Sequence, residues 1–176
     1  MPGVDRSLSF RPVRIAILTV SDTRTLETDT SGAALVERLQ GAGHTLADRA
    51  LIRDDIAKIR SAVQAWIANP EIDAVISTGG TGLTGRDVTH EALTPLFEKT
   101  IEGFSVVFHM VSYESVGLST LQSRATAGVA NGTVIFCLPG STGAVKDGWD
   151  KVISHQLDAR YRPCNLVELM PRLMER

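Results

Sequence analysis

Cysteine is scarce in this chain of 176 residues: only Cys137 and Cys164 occur. They lie far apart and form no Cys-x-x-Cys pair, so neither a zinc site nor a disulfide framework is expected. Both read as buried structural thiols in a reducing cytoplasm. No apolar run approaches the roughly 18 residues that a membrane span requires. The first residues, Met1-Pro-Gly-Val-Asp-Arg6, lack the basic and apolar regions of a signal peptide. Strong charge of either sign is also missing. The net charge of −2 excludes a nucleic-acid partner held by bulk electrostatics. There is no Gly-x-Ser-x-Gly elbow and no cysteine with a plausible catalytic partner. His44, His90, His109 and His155 show no metal-ligand spacing and read as surface or capping residues. Internal repeats and low-complexity tracts are absent too.

What remains is an ordinary globular composition, 43% apolar and 22% charged, long enough for one α/β domain with a core. Residues 1–12 are polar, contain Pro2, Gly3 and Pro12, and read as a flexible arm. Val13 to Val20 is apolar and β-branched, as a central strand should be. Thr30 or Ser31 is placed to cap a helix through Leu39. A second strand, nearer an edge, is expected over 44–52. Asp54 or Asp55 begins a helix carrying Ile56, Ile59, Val63, Trp66 and Ile67 at helical spacing. The next strand is 74–77, followed by a glycine-rich loop and a helix over 88–98. Two short helices separated near Gly117 are expected within 104–128. Thr133 to Leu138 forms another buried strand, and a long amphipathic helix then runs to about Tyr161. Residues 13–165 thus form the domain, with 166–176 as a tail.

Strands alternating with helices in this way argue for a three-layer α/β sandwich with a mostly parallel central sheet. Ligands on such sheets bind beyond the carboxyl ends of the strands. Those ends carry Ser21-Asp22, Arg53-Asp54-Asp55, Thr78-Gly79-Gly80-Thr81-Gly82 and Pro139-Gly140-Ser141, all polar or glycine-rich.

The densest signal is Asp73-Ala-Val-Ile-Ser-Thr-Gly-Gly-Thr-Gly-Leu-Thr-Gly-Arg-Asp-Val-Thr89, with glycine at 79, 80, 82 and 85. A strand, a loop with exposed amides and a helix start together suit a phosphate. Arg86 suits the same anion, and Asp87 suits either a magnesium ion or a helix cap. Gly80-Thr-Gly-Leu-Thr-Gly85 fits the dinucleotide pattern literally. It follows the third strand, however, and no acidic residue stands at the end of the next strand. Arg86-Asp87 stand where a P-loop requires Lys and Ser/Thr. A plain strand-to-helix turn capped by Asp87 is the remaining alternative. Asp54 and Asp55 by spacing alone read as helix caps; their place on the presumed active edge leaves a catalytic role open.

Six segments together resemble the MoaB/MogA family of molybdenum cofactor biosynthesis: Thr19-Val-Ser-Asp22, Asp29-Thr-Ser-Gly32, Ser77 through Thr89, Glu102-Gly-Phe104, Leu121-Gln-Ser-Arg-Ala125 and Leu138-Pro-Gly-Ser141. Leu157 through Asn165 resembles the MoaB branch more than the MogA branch. The resemblance implies a molybdopterin-binding fold and adenylylation of molybdopterin by ATP with magnesium, releasing pyrophosphate. It implies Asp54 and Asp87 as catalytic residues, with Asp87 holding the metal. Ser21, Thr78, Gly79, Gly80, Thr81 and Gly82 would hold the phosphate-bearing ligand. Ser112, Ser123 and Arg124 would line the pterin side, above Pro139, Gly140 and Ser141. A homotrimer or homohexamer and a molybdate-insertion partner are implied as well. The alternatives are a non-catalytic molybdopterin-binding protein of the same pathway and, from the glycine pattern alone, an NAD-dependent oxidoreductase.

Overall fold

The computed structural model describes residues 2–175. In chain order its elements are β1 (Gly3–Val4), β2 (Arg14–Val20), α1 (Thr30–Gly41), β3 (Thr45–Ile52), α2 (Ile56–Ile67), β4 (Ala74–Thr78), α3 (Thr89–Leu93), β5 (Lys99–Thr100), α4 (Glu102–Val116), β6 (Thr126–Ala130), β7 (Thr133–Leu138), α5 (Thr142–Gly148), α6 (Ser154–Gln156), β8 (Tyr161–Arg162) and α7 (Leu166–Leu169). The main sheet has six strands in the order β3-β2-β4-β7-β6-β5. The four strands from β3 to β7 are parallel; β6 runs antiparallel to both β7 and β5. No described helix is long and apolar enough to cross a membrane.

Side chains alternate across a strand, so a strand covered on both faces reads as a continuous apolar run. Strand β2 behaves this way. Ile15 and Ile17 enter one core with Leu35 and Leu39 of α1, Phe104 and Phe108 of α4, and Trp149. Ala16, Leu18 and Val20 enter the other with Ile59 and Val63 of α2 and Leu93 of α3. The result is the three-layer α/β sandwich that the alternation of elements implies. Helix α1 is capped not by Thr30 or Ser31 but by Asp29, whose carboxylate accepts from the Gly32 amide at 2.9 Å. That carboxylate is buried and also receives Thr19 Oγ1 and Arg49 Nη2, which locks the loop after β2 to the sheet.

Several expectations fail for identifiable reasons. Residues 2–12 are docked rather than loose: β1 pairs antiparallel with β8, and Phe10 packs on His44 beneath Arg160. Residue 1 of that arm, like residue 176 of the tail, lies outside the described residues. The 104–128 region is one helix, α4, then a 3-10 turn over Gly117–Gln122 and strand β6. Gly117 does end α4, at φ +58°. The last long helix passes through a π-helical turn at Trp149–Ile153 and stops at Gln156; Tyr161 belongs to β8. Helix 88–98 is only α3, closed by a 3-10 turn over Thr94–Leu96. Cys164 is exposed, while burial pushes the Cys137 thiol up to about 12 despite a hydrogen bond with Ser77.

His44 is no surface residue. It is 6% exposed, tilted against Phe10 and edge-on to Trp149. Its Nδ1 accepts the Val13 amide at 3.2 Å, so that nitrogen must carry no proton. Burial pulls its pKa below the usual 6.5, and the charge of Asp158 only partly opposes this. The native state therefore binds the proton less tightly than the unfolded chain. Stability from this residue is complete above 6.5 and declines as pH falls below it, toward the lower native value. Denaturant midpoints measured from pH 8 down to pH 5 are expected to fall below about 6.5, and to fall less steeply in His44→Gln. Identical slopes in the two proteins would refute this.

Candidate functional site

The sheet changes direction between β2 and β4. From β2 the chain moves outward to β3, then returns to place β4 on the opposite side of β2. Loops leaving the two strands part there and open a crevice. The floor is set by close backbone contact. Gly79 follows β4 with φ +96°, and a Cβ on it would lie 2.2 Å from the Val20 carbonyl oxygen. On the other side a Cβ on Gly140 would lie 3.2 Å from the Gly79 Cα. The Gly79 amide donates to Leu138 O at 3.0 Å, and Thr78 Oγ1 donates to Pro139 O at 2.8 Å. Above this crossing lies a cleft of ≈ 460 Å³.

The glycine loop has its carbonyls tied down. Thr89 holds two of them: its Oγ1 donates to Gly79 O at 2.8 Å and its amide to Gly80 O at 2.9 Å. In a trans peptide the C=O and the next N–H point in opposite directions. Fixing those carbonyls therefore turns the amides of Gly80 and Thr81 the other way. Neither amide has a hydrogen-bond acceptor among the described residues, and both residues line the cleft. Adjacent unpaired amides beside a cavity form an anion site. Arg24 also lines the cleft, steadied by Thr28 O at 3.0 Å and Thr30 Oγ1 at 2.9 Å.

Carboxylates stand beside the loop: a Cβ on Gly80 would lie 3.0 Å from Asp54 Oδ1, and one on Gly82 would lie 2.8 Å from Asp87 Oδ2. Asp55, not Asp54, caps α2 by accepting from the Lys58 amide. Asp54 is thereby released to the cleft, where its carboxylate accepts no hydrogen bond from another described residue. Burial raises its pKa; the charges of Asp22 and Asp87 raise it further, and Arg86 offsets only part of this. Asp87 behaves differently. Burial alone would raise it, but hydrogen bonds from Thr84 Oγ1 (2.6 Å) and the Thr84 amide (2.9 Å), with the adjacent Gly82 backbone and the charge of Arg124, bring it below the usual carboxylate value. Asp87 therefore folds the loop while facing the cavity, and it caps no helix. Arg86 forks onto Asp22, with both contacts at 2.9 Å, and reaches Asp54 O at 3.0 Å. One carboxylate, Asp22, thus joins three loops at the mouth; it also accepts the Asp54 amide at 3.3 Å.

Of the residues expected from the sequence, Ser21, Asp54, Thr78, Gly79, Gly80, Thr81, Gly82, Asp87, Ser123, Pro139 and Gly140 come together around this cleft. Three do not line it. Ser112 is buried among the core residues of α4, 6% exposed. Ser141 caps α5 by accepting from the Ala144 amide. Arg124 directs its guanidinium at Gly82 O, Asp87 O and Glu91. Asp22, Arg24, Ser31, Ser119 and Gln122 line the cleft without having been singled out. For Asp22 and Arg24 a signal existed, since both follow the end of β2 on the edge that carries ligands.

Residues 16–159 match the family described as "Probable molybdopterin binding domain". "Molybdenum cofactor biosynthesis protein B" of Escherichia coli (strain K12) is 54% identical over 159 residues, covering 90% of this chain and 94% of the relative. A crystal structure of a molybdenum cofactor biosynthesis protein B superposes with a TM-score of 0.86 at 39% identity, covering 96% of this chain and 100% of the other. The tungsten cofactor synthesizing protein MoaB from Pyrococcus furiosus superposes at 0.73 with 37% identity, covering 82% and 92%.

The crossing of backbones sets a sharp contrast between two glycines. Gly85 has open space where a Cβ would stand and no left-handed φ, unlike Gly79. Gly79→Ala is expected to destabilise the fold by about 3 kcal/mol or more, and Gly85→Ala by less than about 1 kcal/mol. Thermal melts of the two variants check this, and a Gly79→Ala protein melting with the wild type would overturn the role given to the crossing.

Proposed function

From the molybdopterin-binding family to which this chain belongs, we propose a function in molybdenum cofactor biosynthesis: binding molybdopterin in the cleft and transferring an adenylyl group to it from ATP. A phosphate oxygen of molybdopterin attacks the α-phosphorus of ATP. The new P–O–P linkage forms as the bond to the leaving group breaks, and pyrophosphate departs. Such a transfer demands reactants held in line and charge neutralised, with little covalent help from the protein. The observation that carries this reading is the pairing, in one cleft, of unengaged amides at Gly80 and Thr81 with the unengaged carboxylate of Asp54.

Each side chain then has a task. The Gly80 and Thr81 amides and the Arg24 guanidinium receive phosphate oxygens. Ser21, Ser123 and Pro139 bound the volume left for the pterin. Asp54 and Asp87 suit a magnesium ion that accompanies the phosphates. The fit rests on Asp54, whose carboxylate accepts no hydrogen bond from another described residue and whose pKa is raised by burial and by the charges of Asp22 and Asp87, only partly offset by Arg86. No trio of His, Cys, Asp or Glu gathers into a metal cage among the described residues. Magnesium is typically held by one or two carboxylates plus substrate phosphates. When bound, magnesium would neutralise charge on the reacting phosphates. Arg86, anchored on Asp22, holds two loops at the entrance rather than a free charge for the pyrophosphate.

Pyrophosphate release in the presence of molybdopterin and Mg-ATP is the test. Asp54→Ala is expected to reduce turnover by about 100-fold or more, while molybdopterin affinity stays within about threefold, because the carboxylate serves mainly the transition state. Tight molybdopterin binding by the wild type without pyrophosphate release would instead establish the non-catalytic binding protein.

The same proposal includes a homotrimer or homohexamer, and transfer of the product to a molybdate-insertion protein. Helix α4 and the turn after it leave Val106, Met110, Tyr113, Leu118 and Leu121 exposed, a large apolar surface for a monomer. Light scattering is expected to report a trimer or a multiple of it, and Met110→Glu to shift the population toward monomer. A monomeric wild type at micromolar concentration would overturn the assembly.

A further inference from the structure

The carbonyls of Gly79 and Gly80 are held by Thr89; the next two in the loop are held by a different residue. The Arg124 backbone amide donates to Thr81 O at 2.9 Å, and its Nε donates to Gly82 O at 2.9 Å. Its Nη2 reaches Asp87 O at 3.0 Å, at the far end of the same loop. The outer edge of the guanidinium is taken by the Glu91 carboxylate, through Nη1 to Oε1 and through Nη2 to Oε2 at 3.2 Å. All of the fork is thus directed at the loop and at α3. Neither Arg124 nor Glu91 lines the cleft.

We infer that Arg124 is a positioning residue that clamps the two ends of the glycine loop, with Glu91 fixing the plane of its guanidinium, and that it does not contact the ligand. The peptide geometry gives the clamp its effect. With Thr81 O drawn to the outer side, the Gly82 amide turns inward, and the Asp87 carboxylate lies against Gly82, its Oδ2 2.8 Å from where a Cβ would stand. With Asp87 O drawn to the same guanidinium, the Asp87 side chain is kept over the cavity. Only a planar fork reaches carbonyls at both loop ends and a carboxylate at once; a lysine ammonium is a point donor on a flexible stem. Glu91 is already ionised at neutral pH: its hydrogen bond with Arg124 lowers its pKa.

The clamp is separable from direct ligand contact because Glu91 lies outside the cleft. The probes are amide hydrogen exchange at Thr84, Asp87 and Thr89 in the ligand-free protein, and titration with Mg-ATP. Arg124→Gln is expected to speed exchange at these amides by about tenfold or more and to weaken Mg-ATP by a similar factor. Glu91→Gln should move the same amides in the same direction by a smaller factor. The double variant should be no worse than Arg124→Gln alone, since both act through one contact. Arg124→Lys should fail to restore protection. If Arg124→Gln does not fold, Glu91→Gln alone decides the matter. Unchanged exchange in Glu91→Gln, or lost Mg-ATP affinity in Arg124→Gln with loop protection intact, would overturn the clamp. This inference rests on the adenylyl-transfer reading only for the Mg-ATP titration. A wild type that ignores Mg-ATP would defeat that reading, while hydrogen exchange would still judge the clamp.

Discussion

Three backbones meet at one point in this fold, and the meeting is possible only because two of the residues lack a side chain. Gly79 turns under the Val20 carbonyl with φ +96°, and Gly140 lies against Gly79 from the other side. Strands β2, β4 and β7 therefore end within contact of one another. The loops that leave them share a single cavity instead of three separate edges. A Cβ at position 79 would force β4 away from β2. The carboxylates of Asp54 and Asp87 and the unpaired amides of Gly80 and Thr81 would then no longer share one cavity.

Charge in the cleft is arranged by what is already engaged. Arg86, Arg124 and Arg49 all point at carboxylates or carbonyls of their own chain. Each fixes a loop. Among the cleft-lining arginines, Arg24 keeps its charge beside the cavity with only a carbonyl and a hydroxyl as partners. Among the acids, Asp22 and Asp87 carry hydrogen bonds that hold shape, and Asp54 does not. A cavity built this way has a stiff frame and one carboxylate, that of Asp54, without a hydrogen-bond donor from another described residue. An arginine in a glycine-rich loop is thus no guide by itself to which charge stays free beside the cavity.

Much of the architecture could be read from residue order alone. Strands β2, β4 and β7 are buried on both faces, so their apolar runs stood out, and the glycine loop was conspicuous. The antiparallel side of the sheet escaped notice. Strand β6, Thr-Ala-Gly-Val-Ala, is short, with small residues at Ala127, Gly128 and Ala130 beside its two β-branched ones, and β5 contributes only Lys99 and Thr100. A clue was present: Asn131-Gly132, at φ +47° and +81°, is the turn that joins two antiparallel strands. At the site, choosing between Asp54 and Asp55 required knowing which one α2 takes as its cap. The roles of Asp22 and Arg124 depend on partners 64 and 42 positions away, and no local pattern announces such pairs. His44 reads locally as a surface group because its burial comes from Phe10 and Trp149, both remote in sequence.

The sheet order has a bearing on how the chain is made. Strand β4 emerges from the ribosome well before β7, the partner that flanks it on one side, and that side carries open amide and carbonyl groups until Thr133–Leu138 follow. The β1 segment waits longer still, for Tyr161–Arg162. A chain that has paired β2, β3 and β4 before β7 is available would hold an apolar half-sheet with a vacant flank, a setting in which intermolecular strand pairing is a hazard. The residues that fill that flank are followed at once by Pro139 and Gly140, so one segment both seals the flank and completes the cleft.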